Sequence, residues 1–307
     1  MNQFLLHNKN IRVSIGVPIY HEQHHLAETL QSIQSQDWKN FDVFMSVDNH
    51  DFESAKICKK FLKDPRFTLH VHRKQLGWVK NISYLMKHQT GDYWFYLAQD
   101  DVIARSYIYK LVAWVEAHPE VAVAYSDIQC FGTFREILFQ PSLKGNPLDR
   151  EIDLIRNHLS AVAFRGMVRR HVITALGGMR DNRYLGFCCD TTWMATVARF
   201  GELHRIPEAL YRKRYHANNT HNTWTNHSPS WLERAWAAHC RDMFMESISV
   251  AKTIREKYAV FQSICYRLLF SPVSWVYIKP TTWSKFKKAR YFARFILLLV
   301  ASCFEDY

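Results

Sequence analysis

The chain has 307 residues, 48% of them apolar, which supports a sizeable core, and its 22% charged residues argue against disorder. A net charge of +12 points to acidic partners such as nucleotide phosphates, nucleic acid or an anionic membrane. The seven scattered cysteines, an odd count without framework spacing, read as reduced thiols and exclude a disulfide scaffold. Adjacent Cys188 and Cys189 are not a C-x-x-C pair, and Met1 to Asn10 has no apolar stretch of signal-peptide type, so a cytoplasmic setting is expected.

In chain order, Arg12 to Ile19 is a β-rich run, and His24 to Ser35 carries Leu26, Leu30 and Ile33 at helical spacing. Phe41 to Val47 reads as strand, Ser54 to Leu62 as helix, Phe67 to Val71 as strand and Gly77 to His88 as helix. Tyr93 to Leu97 is the next strand, with a helix over Ser106 to Ala117 and a further strand over Val121 to Asp127. Strands alternating with helices predict an α/β fold with a mostly parallel sheet flanked by helices. Cys130 to Arg150, with Pro141, Gly145 and Pro147, is expected to be an irregular loop over the site. Ala161 to Phe164 is a candidate edge strand and Asp190 to Phe200 a helix. On a strand from Leu210 to His216, Arg212, Arg214 and His216 share one face.

The character changes near Asn226, which suggests a main domain over 1–225 and a helical, basic and aromatic region over 226–307. Trp231 to Tyr258 reads as helix. Tyr291 to Phe304 is too short to span a bilayer and follows Lys285, Lys287, Lys288 and Arg290. It suits either a membrane surface or a helix packed on the core with its lysines solvated.

The densest chemical signal is the run from Asp92 to Asp101, where an aromatic strand delivers Asp100 and Asp101. Side chains at the carboxyl ends of such strands sit where open α/β sheets bind ligands. Two carboxylates there suit Mg²⁺ or Mn²⁺ on a diphosphate, or cap the following helix. His21 to His25 satisfies H-E-x-x-H, the zinc-hydrolase pattern, but it follows a strand directly instead of lying within a helix. No phosphate-loop or dinucleotide glycine pattern is present, and no nucleic-acid signature accompanies the basic charge, so nucleic acid is not an expected partner.

Several motifs in order resemble those of glycosyltransferase family 2, whose members have the GT-A fold, a Rossmann-like mixed sheet flanked by helices. They are Val13 to Glu22, Ser46-Val47-Asp48, Gly77 to Asn81, Leu97 to Asp101, Leu176 to Arg180 and Leu210 to His216. The resemblance runs from Val13 to Thr220 and implies an inverting transfer of sugar from a nucleotide donor, UDP-linked by expectation, to an acceptor hydroxyl.

It also implies roles. Pro18, Tyr20 and Glu22 line the nucleotide pocket, Asp48 accepts from a uracil-type imide, and Lys80 approaches phosphate or base. Asp101 coordinates Mn²⁺ or Mg²⁺, Asp100 contacts ribose, sugar or metal-bound water, and His216 adds a metal or diphosphate contact. Arg212 or Arg214 neutralises phosphate. Asp190 is the expected general base, with Asp181 the alternative. A glycan or lipid-linked acceptor in surface-polysaccharide assembly, reached from the cytoplasmic face of the membrane, fits the basic aromatic tail.

The sequence departs from the family pattern at Ala98, where an acid is common, at His21, where asparagine is usual, and at Cys188-Cys189 before the expected base. The rival readings are a zinc-dependent hydrolase on His21, Glu22 and His25, and a non-catalytic module holding polyanions or membranes.

Overall fold

Continuous apolar strands require cover on both faces, and the computed structural model supplies it: Val13, Ile15, Val17, Val43, Met45 and Phe95 are essentially inaccessible. The structure describes residues 10–159, 161–217, 219–270 and 293. The strands are β1 (Val13–Ile19), β2 (Phe41–Val47), β3 (Phe67–Val71), β4 (Tyr93–Tyr96), β5 (Val102–Ile103), β6 (Val121–Gly132), β7 (Ile137–Leu138), β8 (Met167–Arg169) and β9 (Glu202–Tyr215). They form one sheet in the order β3-β2-β1-β4-β8-β6-β9-β5, with β7 on β6. The longest ladders, β1 with β2 and β6 with β9, are parallel, whereas β8 runs antiparallel to both β4 and β6.

The helices are α1 (Leu26–Gln34), α2 (Phe52–Lys59), α3 (Trp78–Lys87), α4 (Tyr107–Ala117), α5 (Pro147–Asn157), α6 (Arg170–Leu176), α7 (Cys189–Phe200), α8 (Thr220–Thr225), α9 (Pro229–Val250) and α10 (Ile254–Leu269). The chain leaves β1 toward β2 on one side, while β4 lies on β1's other side. Neighbouring strands that depart in opposite directions open a crevice at their carboxyl ends, where doubly wound sheets bind ligands. The fold class is the expected one.

Four segments differ from the sequence reading. The stretch from Cys130 to Arg150 is not wholly irregular, since β6 continues to Gly132, β7 pairs with it, and α5 begins at Pro147. Asn146 caps α5 by accepting from the Asp149 N–H, with Pro147 in the first turn. Ala161 to Phe164 is no edge strand. A 3₁₀ turn over Ala163–Arg165 leads through Gly166 into the interior strand β8. A Cβ on Gly166 would lie 2.5 Å from the Ala124 carbonyl, so only glycine lets the backbone enter there.

The last strand begins at Glu202, not Leu210, and its register with β6 slips between Ser126 and Ile128. That irregularity, which holds Pro207, resets the alternation and hides the first half of the strand from pattern reading. The helix expected from Trp231 to Tyr258 is two, separated at Ala251, with Thr253 capping α10 by accepting from the Glu256 N–H.

Helices α9 and α10 pack on one another, α9 packs on α7, and α10 packs on α5. Trp236, Met243, Ile264 and Leu268 belong to the same buried cluster as the sheet residues. No helix among the described residues is long and apolar enough to cross a membrane. The segment from Lys285 to Phe304, read above as either a membrane-surface element or a helix packed on the core, lies outside the described residues apart from Ala293.

Candidate active site

The carboxyl ends of β1 and β4 are stitched together by one side chain. Gln99 Oε1 accepts from the Tyr20 N–H at 2.6 Å, and Gln99 Nε2 donates to the Tyr20 carbonyl at 3.0 Å. Thr29 Oγ1 donates to the Gln99 carbonyl at 2.9 Å, which ties the same turn to α1. Gln99 therefore fixes the crevice floor, although the sequence reading gave it no role. Pro18 stands near the end of β1 opposite Ser46, and the Tyr20 ring is 40% exposed beside the crevice.

Past Tyr20 the chain bends sharply. His21 adopts φ 50°, in the left-handed region, and its N–H donates to Asp51 Oδ2 at 2.7 Å. The bend carries Glu22 inward to 6% exposure, where Oε1 accepts from the N–H groups of His24 and His25 at 2.8 Å each. The H-E-x-x-H run is thus a turn that precedes α1. His21 points toward Asp51, 3.9 Å away, and does not share a helix face with His25. The paired-imidazole geometry of a zinc hydrolase is not formed.

Asp48, at the end of β2, is 2% exposed. Its two oxygens accept from the Leu76 and Gly77 N–H groups at 2.8 and 2.9 Å, which pins the turn leading into α3. Gly77 has φ 80°, so a side chain there would strain that turn. Lys80, on the exposed side of α3, lies 3.8 Å from Asp181.

The adjacent carboxylates Asp100 and Asp101 diverge. Asp101 is 1% exposed, and both its oxygens are occupied: Tyr211 OH donates to one and the Arg214 N–H to the other, each at 2.8 Å. Burial, reinforced by the Asp100 charge, pushes its carboxyl up to about 6. Asp100 instead meets His216, with Oδ2 2.8 Å from Nε2, and accepts from Asn219 Nδ2 at 3.0 Å. Asn219 Oδ1 in turn accepts from the His216 N–H at 2.8 Å, so the pair is held from behind.

Arg212 and Arg214 share a face of β9, as expected, but they flank Phe131, with guanidinium carbons 4.6 and 4.4 Å from its ring centre. Arg214 also pairs with Glu28 and donates from Nε to the Asp100 carbonyl at 3.0 Å. The opposite face of β9 carries Tyr211, Lys213 and Tyr215. Lys213 Nζ donates to Tyr215 OH at 3.2 Å, and burial, helped by the Arg165 charge, pulls its ammonium down to about 8.

Asp190 opens α7 and accepts from the Thr191 N–H at 2.8 Å. Burial raises its carboxyl above the ordinary range, while Thr191 and the charges of Arg165 and Lys213 oppose that rise. Arg165 is the buried cation that feels both Asp101 and Asp190. Its Nε lies 3.8 Å from Asp101 Oδ2 and has no hydrogen-bond partner among the described residues. The loop before Asp190 is strained, with Leu185 and Cys188 at φ 56° and 54°. Trp78 and Trp224 hold it by donating their indole N–H groups to the Leu185 carbonyl at 3.0 and 3.2 Å.

The sequence thus marked the acids and His216, and the structure gathers Asp100, Asp101, Arg214 and His216. It missed Gln99, Arg165 and Lys213. Lys213 was readable from alternation with Tyr211, but the flanking arginines drew the eye to the other face.

Residues 14–177 match the model of "Glycosyl transferase family 2". GlyA, a glycosyltransferase of Streptococcus pneumoniae, is 25% identical over 126 residues, 40% of this chain but only 18% of GlyA. Among solved structures, residues 1–349 of S. aureus TarS with UDP-GlcNAc superpose with TM-score 0.66 at 14% identity, covering 93% of this chain and 81% of that one. The mannosyltransferase PcManGT of Pyrobaculum calidifontis, with GDP-Man and Mn²⁺, superposes with TM-score 0.55 at 16% identity, covering 95% and 81%. These structural likenesses show the GT-A fold, and the family match spans more than half of the sequence. The chain belongs to glycosyl transferase family 2.

Proposed function

We propose that the chain transfers a sugar from a UDP-linked donor to an acceptor hydroxyl with inversion at the anomeric carbon. The observation that carries this reading is the division of labour around Arg165. Asp100 and His216 meet at the crevice between β1 and β4, and Asp190 stands at the start of α7, with Arg165 under the charge of both Asp101 and Asp190.

In this reading Asp190 accepts the proton of the acceptor hydroxyl as that oxygen attacks the anomeric carbon, and the bond to the diphosphate breaks on the opposite face. Its raised proton affinity matches it to that task, and Arg165 keeps it from becoming protonated too early. The departing diphosphate gains negative charge, which Lys213 and a cation held at His216 offset in this reading, while Arg212 stays on the opposite face of β9 against Phe131. Tyr20 offers a ring to the base. Asp48 acts on the nucleotide by fixing the Leu76–Gly77 turn, and Pro18 and Glu22 shape the wall. Lys80, exposed beside Asp181, completes the outer rim.

A divalent cation suits the meeting point of Asp100 and His216. Asp100 Oδ2 and His216 Nε2 converge within 2.8 Å, a carboxylate oxygen and an imidazole nitrogen of the kind Mn²⁺ accepts. Bound there, Mn²⁺ or Mg²⁺ would neutralise diphosphate charge. Asp101 then acts as a positioning residue that holds Tyr211 and the Arg214 backbone.

The UDP preference is supported by the UDP-GlcNAc complex of TarS, and the cation by the Mn²⁺ complex of PcManGT. A glycan or lipid-linked acceptor at the cytoplasmic face of a membrane, in surface-polysaccharide assembly, is supported by the basic and aromatic sequence beyond Lys285. The test is a donor panel: UDP release from UDP-sugars with Mn²⁺ and a mixed glycan acceptor, in wild type and Asp190→Asn. Release that needs Asp190 supports the reading, and equal release by both removes Asp190 from the chemistry.

A further inference from the structure

The turn that fails as a zinc-hydrolase motif leaves Glu22 and His25 beside the donor site. One ligand atom each from Glu22, His25 and His216 fall within 4.8 Å of one another. The rings of His25 and His216 stack with centres 5.3 Å apart, and His216 Nε2 already meets Asp100. We propose that Glu22, His25 and His216 form a metal site with two imidazole donors beside Asp100, which binds Mn²⁺ or Zn²⁺ before any nucleotide arrives and discriminates against Mg²⁺. This rests on the reading above that Asp100 and His216 face the cation of the donor diphosphate.

The site is built into the fold. The His21 bend, held by Asp51, turns Glu22 inward. The Glu22 N–H donates to Ser54 Oγ, and Ser54 Oγ donates to the Glu22 carbonyl, both at 3.1 Å. Asn219 supports Asp100 and His216 together from the far side. Such a supporting layer fixes ligand orientation.

Charge and donor type give the selectivity. The cluster offers a divalent cation one carboxylate oxygen and two imidazole nitrogens, with the Asp100 carboxylate beside His216. Arg214, beside Asp100, is engaged by Glu28 and the Asp100 carbonyl. Mg²⁺ prefers oxygen ligands and relies on one or two carboxylates plus phosphate, so it depends on the nucleotide. Imidazole nitrogen favours the later divalent metals, and three protein ligands with two nitrogens among them hold such a metal without phosphate.

The other carboxylate–histidine cluster, Glu120, Glu202 and His204, is a natural contrast. Trp114 Nε1 donates to His204 Nδ1 at 3.2 Å, which leaves the ring proton on Nε2, 2.7 Å from Glu202. That nitrogen is a donor, not a ligand.

The experiment is equilibrium dialysis of the metal-stripped full chain against Mn²⁺ and Zn²⁺ without nucleotide, with electron spin-echo spectra of the Mn²⁺ samples. The expected result is stoichiometric uptake that excess Mg²⁺ does not displace, with couplings from two imidazole nitrogens. His25→Ala, at a partly exposed side chain, should weaken uptake by about tenfold or more and remove one nitrogen coupling. Glu22→Gln should weaken uptake as well, and Glu120→Gln should leave it unchanged. No uptake without nucleotide, no nitrogen coupling, or loss at Glu120→Gln but not His25→Ala overturns the inference. UDP titration of the same samples separates the two claims. UDP binding without these metal effects leaves the transferase reading standing, and no UDP binding removes its donor assignment.

Discussion

His216 Nε2 and Asp100 Oδ2 lie 2.8 Å apart, 116 residues distant in sequence, and Asn219 ties both from behind. The end of β9 is thereby locked to the end of β4 at the point where the donor's leaving group is expected. Because each group partners the other, their contributions cannot be independent. Asp100→Ala and His216→Ala should each lower kcat/KM by about a hundredfold or more, and the double variant should cost little beyond either single one. A cycle of steady-state rates on the purified variants measures this. Additive losses would mean that the two act separately.

Asp190→Asn should reduce kcat by about a thousandfold while leaving UDP-sugar affinity within a few-fold, since the group touches the acceptor and not the nucleotide. Single-turnover rates and calorimetric donor binding on one preparation separate the two effects. An equal loss of binding would mark Asp190 as a donor ligand instead.

The pH profile has a definite sign. Asp190 is active as the carboxylate, and burial holds its proton affinity above the ordinary range while the Arg165 charge opposes that. The acid limb of kcat should therefore lie above the ordinary carboxylate value of 3.8 and move further up in Arg165→Met, which removes a charge that favours ionisation. Arg165→Lys should restore most of the wild-type limb. An unmoved limb in Arg165→Met would detach Arg165 from the base.

Stability follows the same logic at Asp101. Its folded value, about 6, lies above the ordinary 3.8, so the folded state binds more protons between those values. Its stabilising contribution is full below about 4 and is lost as pH rises through about 6. In metal-free buffer, Asp101→Asn should flatten that part of the Tm profile. A profile unchanged by the substitution would show that other groups set it.

Asp48→Asn keeps one acceptor oxygen and loses the other, so one of the Leu76 and Gly77 N–H groups is left unpaired. The expected loss is about 1–3 kcal/mol of stability by chemical denaturation, with weaker UDP binding because the turn before α3 loosens. Loss of UDP binding at unchanged stability would instead place Asp48 directly on the nucleotide.

The parallel half of the fold was legible because each strand from β1 to β4 is an apolar run punctuated by a helix with its own 3.6-residue pattern. Beyond β6 the signals weakened for identifiable reasons. The interior strand β8 has only three residues, and its path depends on a close approach at Gly166 rather than on apolar pattern. The strand β9 carries a bulge that resets its alternation, so only its second half could be read. In the site, Asp100, His216 and Asp190 stood out as charged groups after strands or before a helix. Arg165 did not, because a lone arginine in a short turn shows no sign that its guanidinium is buried toward two carboxylates. Gln99 was passed over as the unremarkable neighbour of two acids, and its backbone clasp on Tyr20 exists only in three dimensions.

The most direct test of the central claim is calorimetric titration of UDP into the wild-type chain and Asp100→Ala, each with and without Mn²⁺. The account predicts that UDP binds the wild type, that Mn²⁺ tightens it, and that the Mn²⁺ increment disappears in Asp100→Ala. UDP binding equal in both proteins and indifferent to Mn²⁺, or no UDP binding at all, would contradict it.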